Sequence, residues 1–269
     1  MAARRSTVAR TWPCGVTPWL GALLALVAAA GASLAAERAS AGAPPVPILV
    51  YHRFGPVVAD SMTLKTSAFA DEMRYLADRG YTVIPLRRLV DYRRGLAPAP
   101  PPKSVVVTAD DGHRSVWSDM APIVREMRIP VTLFLYPSAI SNADYALTWD
   151  QVAELKQTGL FDVQSHTYWH PNFHVEKRRL TPDAYRQLVG LQLEKPRDIL
   201  AGKVGGSIDL LAWPFGIHDA ELEAAAAAAG YVAAFSLEGR PACDSDSPMA
   251  LPRHLMVEEN AGAAFGRLI

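Results

Sequence analysis

The sequence predicts an α/β protein, an irregular (β/α)7-type barrel forming a single domain. Seven short apolar runs alternate with amphipathic helical stretches, the pattern of a parallel sheet covered by helices, and no tandem repeat interrupts it. The residues able to do chemistry also cluster by position. His52, Asp110, Asp111, His166 and the turn Trp213-Pro214-Phe215 all stand where an apolar run ends. That rim is where (β/α) barrels build their sites. An open doubly wound sheet is the runner-up, because its ligands also sit at carboxyl strand ends. No glycine-rich phosphate fingerprint follows any of the runs, which disfavours it.

Residues 1–36 read as an address. Arg4, Arg5 and Arg10 precede an alanine- and leucine-rich run from Trp19 to Ala36, with small residues at its exit. A basic region, an apolar core and small-x-small cleavage patterns at Ser33-Leu34-Ala35 and Ala39-Ser40-Ala41 make a secretory signal. A retained membrane anchor over 17–36 is the alternative. Either reading puts the body outside the cytoplasm, periplasmic or secreted, within reach of export or envelope machinery. Residues 37–46, rich in proline and small residues, form a linker, and 47–269 the catalytic domain.

Within that domain, Pro47 to His52 is a first strand. Ser67 is expected to cap a helix whose first turn carries Asp71 and Glu72. Tyr81–Pro85 is a second strand and Leu86–Tyr92 a short helix; the proline-dense stretch from Gly95 to Pro102 excludes regular structure. Ser104–Ala109 and Val131–Tyr136 are strands flanking a helix around Met120 and Met127. Thr148-Trp149-Asp150-Gln151 is a capping box, and Phe161–Ser165 the next strand. Thr181-Pro182 opens a long helix through Tyr185, Leu188 and Leu191, kinked or split at Pro196. Ile208–Trp213 and Val232–Ser236 are strands around an alanine-rich helix capped by Asp219. The run Leu251–Val257 closes the chain.

Composition narrows the function. Lys plus Arg and Asp plus Glu are both 27, and beyond residue 36 there are 24 basic against 27 acidic residues, a net charge of −3. A mildly acidic body excludes nucleic acid as a natural partner. Two cysteines occur, and Cys14 lies in the leader, so Cys243 has no partner and no disulfide framework exists.

The chemistry is concentrated in two stretches. Ser104-Val-Val-Val-Thr-Ala runs into Asp110-Asp111-Gly112, and two neighbouring carboxylates at the end of a buried strand point to a cation beside one of them. Phe161-Asp-Val-Gln-Ser ends in His166 and, four residues on, His170. One Asp and two His delivered by strand ends make a metal site with open positions.

Thr108-Ala-Asp-Asp-Gly112, His166-Thr-Tyr-Trp-His170-Pro-Asn172 and Trp213-Pro-Phe-Gly216 resemble the first three motifs of the polysaccharide deacetylases, the NodB-like carbohydrate esterase family 4. Ile48-Leu-Val-Tyr-His-Arg-Phe54 resembles the exported branch acting on poly-β-1,6-N-acetylglucosamine. The resemblance covers roughly residues 46–257. It implies a barrel of about seven βα units and removal of N-acetyl groups from a polysaccharide. It implies Asp110 as general base, and Asp111, His166 and His170 as ligands of a divalent metal, usually Zn2+, with Ni2+ or Co2+ tolerated. His52 matches the general acid, and Trp213, Pro214 and Phe215 the wall of the acetyl pocket. The family's third motif often begins with an arginine that steadies the base; here Ala212 stands in that place. Arg253 is the candidate replacement, counted with the substrate-binding residues of the rim. A metal-dependent amidase acting on a small molecule or peptide, and a non-catalytic polysaccharide-binding relative, are the competing readings.

Overall fold

The computed structural model describes residues 45–269. The expected leader and all but the last two residues of the linker lie outside the described residues. Among those described, no helix is long and apolar enough to cross a membrane.

The strands are β1 (Ile48–Tyr51), β2 (Arg53–Gly55), β3 (Thr63–Lys65), β4 (Thr82–Val83), β5 (Ser104–Asp110), β6 (Val131–Leu135), β7 (Phe161–Ser165), β8 (Leu210–Ala212), β9 (Ala233–Phe235) and β10 (His254–Leu255). The helices are α1 (Thr66–Asp78), α2 (Leu86–Arg93), α3 (Ala121–Met127), α4 (Trp149–Gln157), α5 (Phe173–Arg179), α6 (Pro182–Val204), α7 (Ala220–Ala228) and α8 (Phe265–Leu268). Seven strands follow one another around a curled parallel sheet in the order β10-β1-β5-β6-β7-β8-β9, and β4 pairs with the start of β5. The segment 251–255 spans the gap that would otherwise be open. Leu251 bridges to Phe235 on β9 and, three residues later, His254 pairs with Leu49 on β1. This is the barrel expected from the sequence, not the open doubly wound sheet.

Strand periodicity divides the core in two. Ile48, Val106, Phe134, Leu210, Ala212 and Phe235 come from five strands into one buried cluster, the barrel interior. The alternate residues, among them Leu49, Val107, Leu133 and Val163, pack outward against the helices. With both faces covered, the strands are continuous apolar runs, and β5 is buried along its whole length.

Four of the eight helices among the described residues carry a side-chain N-cap. The capping box of α4 is formed, with Thr148 Oγ1 accepting from Gln151 N at 3.2 Å and Gln151 Oε1 from Thr148 N at 2.9 Å. Asp219 caps α7 and Thr181 caps α6. Other expectations are corrected. Ser67 is not a cap: α1 begins at Thr66 with Lys65 before it and no side-chain cap bond. Glu72 is not an exposed first-turn acid but is buried, accepting from Tyr51 Oη at 2.7 Å. Pro196 does not split α6, which runs unbroken through it. The buried stripe of α6 is Tyr185, Val189, Gln192, Leu193, Pro196 and Leu200, while Leu191 is exposed. The small β2–β3 pair and α5 were not anticipated.

Candidate active site

The site grows out of strand parity. Val106, Thr108 and Asp110 share one face of β5, so the interior row of apolar side chains ends in a carboxylate. Continued extension would send Asp111 to the other face. Instead Asp111 has φ +69° and Gly112 φ +71°, so the chain turns sharply and both carboxylates line one cavity of about 330 Å3. Gly112 is required here: a Cβ would lie 2.8 Å from Leu135 Cδ2 and 2.9 Å from Ile140 Cδ1.

His166 follows β7, its N–H donating to Leu135 O at 2.8 Å. Its Nδ1 lies 2.8 Å from Ala212 O, a pairing that makes Nδ1 the donor and leaves Nε2 free to bind. The chain then reverses through Thr167 and His170, both at positive φ. Of the seven non-glycine residues with positive φ among those described, three (Asp111, His170 and Phe215) line this cavity and Thr167 lies between its two histidines. Left-handed backbone on L-residues costs about 1–2 kcal/mol each. Its concentration here marks a geometry held by its surroundings.

Asp111 Oδ1 lies 3.5 Å from His166 Nε2 and 3.6 Å from His170 Nε2, and one ligand atom from each of the three residues falls within 4.8 Å of the others. Asp111 Oδ1 is buried and accepts no hydrogen bond. Tetrahedral zinc with bonds of about 2.0–2.2 Å separates its ligands by about 3.3–3.6 Å. The donor set and spacing therefore fit a small divalent cation. Electrostatics agree. Burial would raise the Asp111 pKa, but the three neighbouring histidines hold it well below the usual carboxylate range. Burial, helped by His166, lowers His170 to about 4, so its imidazole is neutral and ready to ligate.

Asp110 is not one of the three donors; it stands beside them, its Oδ2 3.8 Å from His166 Nε2. Burial works against its charge, yet the Arg253 guanidinium, together with His166 and His52, more than offsets burial and holds its pKa below the usual carboxylate value. Arg253 Nη1 and Nη2 donate to the two carboxylate oxygens at 2.8 and 2.7 Å, and Arg253 Nε donates to Ser236 O at 3.2 Å. Arg253 was expected both as the replacement for the arginine missing at Ala212, which its pairing with Asp110 bears out, and among the substrate-binding residues of the rim. It is instead wholly buried behind Asp110 and offers substrate no surface.

His52, at the end of β1, lines the cavity with its Nδ1 buried and unpartnered, and burial lowers its pKa against the pull of Asp110 and Asp111. Trp213 and Phe215 also line it. Trp213 is fully buried, its Nε1 donating to Met249 O at 2.9 Å, whereas Phe215 is 57% exposed with its ring 4.6 Å from that of His170. Pro214 is buried and does not line the cavity. Tyr136 does line it, its ring 5.4 Å from that of His170 and its hydroxyl 2.6 Å from that of Tyr145. Sequence reasoning missed Tyr136, although its place just past an apolar strand was the available signal.

The polysaccharide deacetylase family model matches residues 97–234, just over half the chain, and contains both carboxylates and both histidines. The chain belongs to the polysaccharide deacetylase family. It is 24% identical to the Escherichia coli poly-β-1,6-N-acetyl-D-glucosamine N-deacetylase over 62% of this chain, and spans 30% of that protein's length. It is 21% identical to the Staphylococcus aureus protein of the same name, over 77% of this chain and 71% of that one. The Streptococcus pyogenes deacetylase PplD superposes with a TM-score of 0.74 at 18% identity, over 84% of this chain and 98% of that chain, a likeness of fold. The deacetylase barrel is thus shared along nearly the whole described chain.

Proposed function

We propose that this polysaccharide deacetylase hydrolyses the N-acetyl groups of an N-acetylglucosamine polymer, with a divalent cation held by Asp111, His166 and His170. The observation that carries this reading is a three-donor cluster beside a second carboxylate whose two oxygens are both bonded by Arg253. Zinc suits the donor set, with nickel or cobalt as substitutes. Such a cation supplies Lewis acidity, lowering the pKa of water and polarising the amide oxygen.

The protein's own groups carry the rest. Asp110 stays anionic and receives the proton of the attacking water. His52 protonates the departing nitrogen, and its lowered pKa makes the imidazolium a stronger acid. The Phe215 N–H is assigned to the developing oxyanion. Trp213 and Phe215 enclose the methyl group of the acetyl. The products are acetate and a glucosamine unit that gains a positive charge. The β-1,6 linkage is assigned from the names of the Escherichia coli and Staphylococcus aureus relatives. An exported setting is assigned from the basic and apolar leader.

The test is acetate release from defined β-1,6- and β-1,4-linked N-acetylglucosamine oligomers. Release from the β-1,6 series that stops with chelator and returns with zinc is expected. No acetate from any oligomer by the zinc-loaded protein would overturn the proposal.

A further inference from the structure

Helix α6 carries a glutamine that has no reason to be inside the protein unless it serves the turn between the two histidines. Gln192 is fully buried at mid-helix, on the stripe otherwise made of Tyr185, Val189, Leu193, Pro196 and Leu200. Its Oε1 accepts from both Tyr168 N and Trp169 N at 3.1 Å. Its Nε2 is buried with no partner. A buried orphan donor costs about 1–3 kcal/mol, and leucine or methionine would fill the same space without it. The acceptor end must therefore return something the helix itself does not need.

What it holds is the segment from His166 to His170. Thr167 and His170 sit at φ +66° and +62°, a strained reversal with no strand or helix bonds of its own. Thr167 Oγ1 accepts from His170 N at 3.2 Å, which ties the turn only to itself. Two segments tie it to the scaffold: Ser138 N donates to Tyr168 O at 3.2 Å, and Gln192 receives the amides of its two middle residues. Three residues along α6, Lys195 Nζ lies 4.0 Å from the centre of the Tyr168 ring, a second anchor from the same helix.

We propose that Gln192 is a positioning residue of the cation site: by receiving the Tyr168 and Trp169 amides it sets the turn that aims His170 Nε2 at Asp111 and His166. The inference rests on the reading that these three residues hold a divalent cation. Groups that orient ligands from behind typically change metal affinity by about 10–100-fold when removed.

The experiment is zinc affinity of the purified protein, measured without substrate by competition with a chromogenic chelator, alongside hydrogen exchange of the Tyr168 and Trp169 amides. Gln192→Met should bind zinc about 10–100-fold more weakly and exchange both amides faster. Gln192→Glu, which keeps the acceptor, should stay within threefold of the parent. Val189→Ala, one turn away and buried but bonded to nothing in the turn, should lower the melting temperature and leave zinc affinity unchanged. Parent-like affinity in Gln192→Met, or an equal loss in Val189→Ala, would overturn the proposal. If Gln192→Met does not fold, Gln192→Asn, whose amide is drawn back by one methylene, takes its place with the same expectation and the same overturning result. A parent that binds no zinc would sink the cation reading and this inference with it; zinc binding without acetate release would sink only the deacetylase activity.

Discussion

Arg253 and Asp110 face each other as a fork, two bonds of 2.8 and 2.7 Å, 143 positions apart along the chain and both side chains out of solvent. The pairing answers the question raised by Ala212. Ala212 offers its carbonyl to His166, and the positive charge beside Asp110 comes from the segment that closes the barrel.

Arg253→Ala is expected to destabilise the protein by about 3–5 kcal/mol, because it leaves a buried carboxylate without its partner. Arg253→Lys keeps the charge but loses the bidentate geometry, so it should fold and still lose activity. Urea denaturation with acetate-release kinetics checks both, and an Arg253→Lys protein with full activity would show that the fork is dispensable.

Asp110→Asn should leave zinc affinity close to that of the parent, since Asp110 is not one of the three donors. Acetate release should fall by about 10²–10⁴-fold, the usual contribution of a positioned base. Zinc titration and turnover on the same preparation separate the two effects; undiminished turnover rejects Asp110 as the base.

Glu72 makes stability depend on pH. Burial pushes its carboxyl up to about 8, against the opposing Tyr51 hydrogen bond and with help from Glu258 and Asp71. A folded pKa above the unfolded one means the contribution is fully present below about 4.3 and is lost as pH rises toward 8. At about 1.4 kcal/mol per pH unit the ceiling is about 5 kcal/mol. Glu72→Gln should therefore be more stable than the parent at pH 8.5 and nearly equal to it at pH 4.5. Equal denaturation midpoints at pH 8.5 would contradict the assignment.

Gly112→Ala combines a left-handed φ with contacts of 2.8 and 2.9 Å to Leu135 and Ile140. A loss of about 2–4 kcal/mol is expected from backbone strain and overpacking together. Since Gly112 follows Asp111 directly, the same substitution should weaken zinc binding, which a chelator competition will read.

Much of this was legible beforehand for a local reason. A buried strand shows itself as an apolar run, and its last polar residue is carried to the rim by the same periodicity. His52, Asp110 and His166 could thus be placed without knowing how the strands pair. The capping box at Thr148 and the cap at Asp219 are equally local, three residues from donor to acceptor. Of Tyr185, Leu188 and Leu191 on α6, the first is buried, the second partly buried and the third exposed, because a helix between a sheet and other helices has more than one apolar side, and only packing selects the buried one.

Strand ends, turns and ligand types were therefore set by the chain's own order of residues, since they depend on neighbours a few positions apart. The bidentate geometry of the Arg253–Asp110 fork, the Gln192 anchor and the Tyr51–Glu72 pair were decided by tertiary structure alone. Each joins residues from different elements that meet only once the sheet has curled and α6 has packed against it. A buried polar group gains its meaning from its partner, and the partner is chosen by the closed fold.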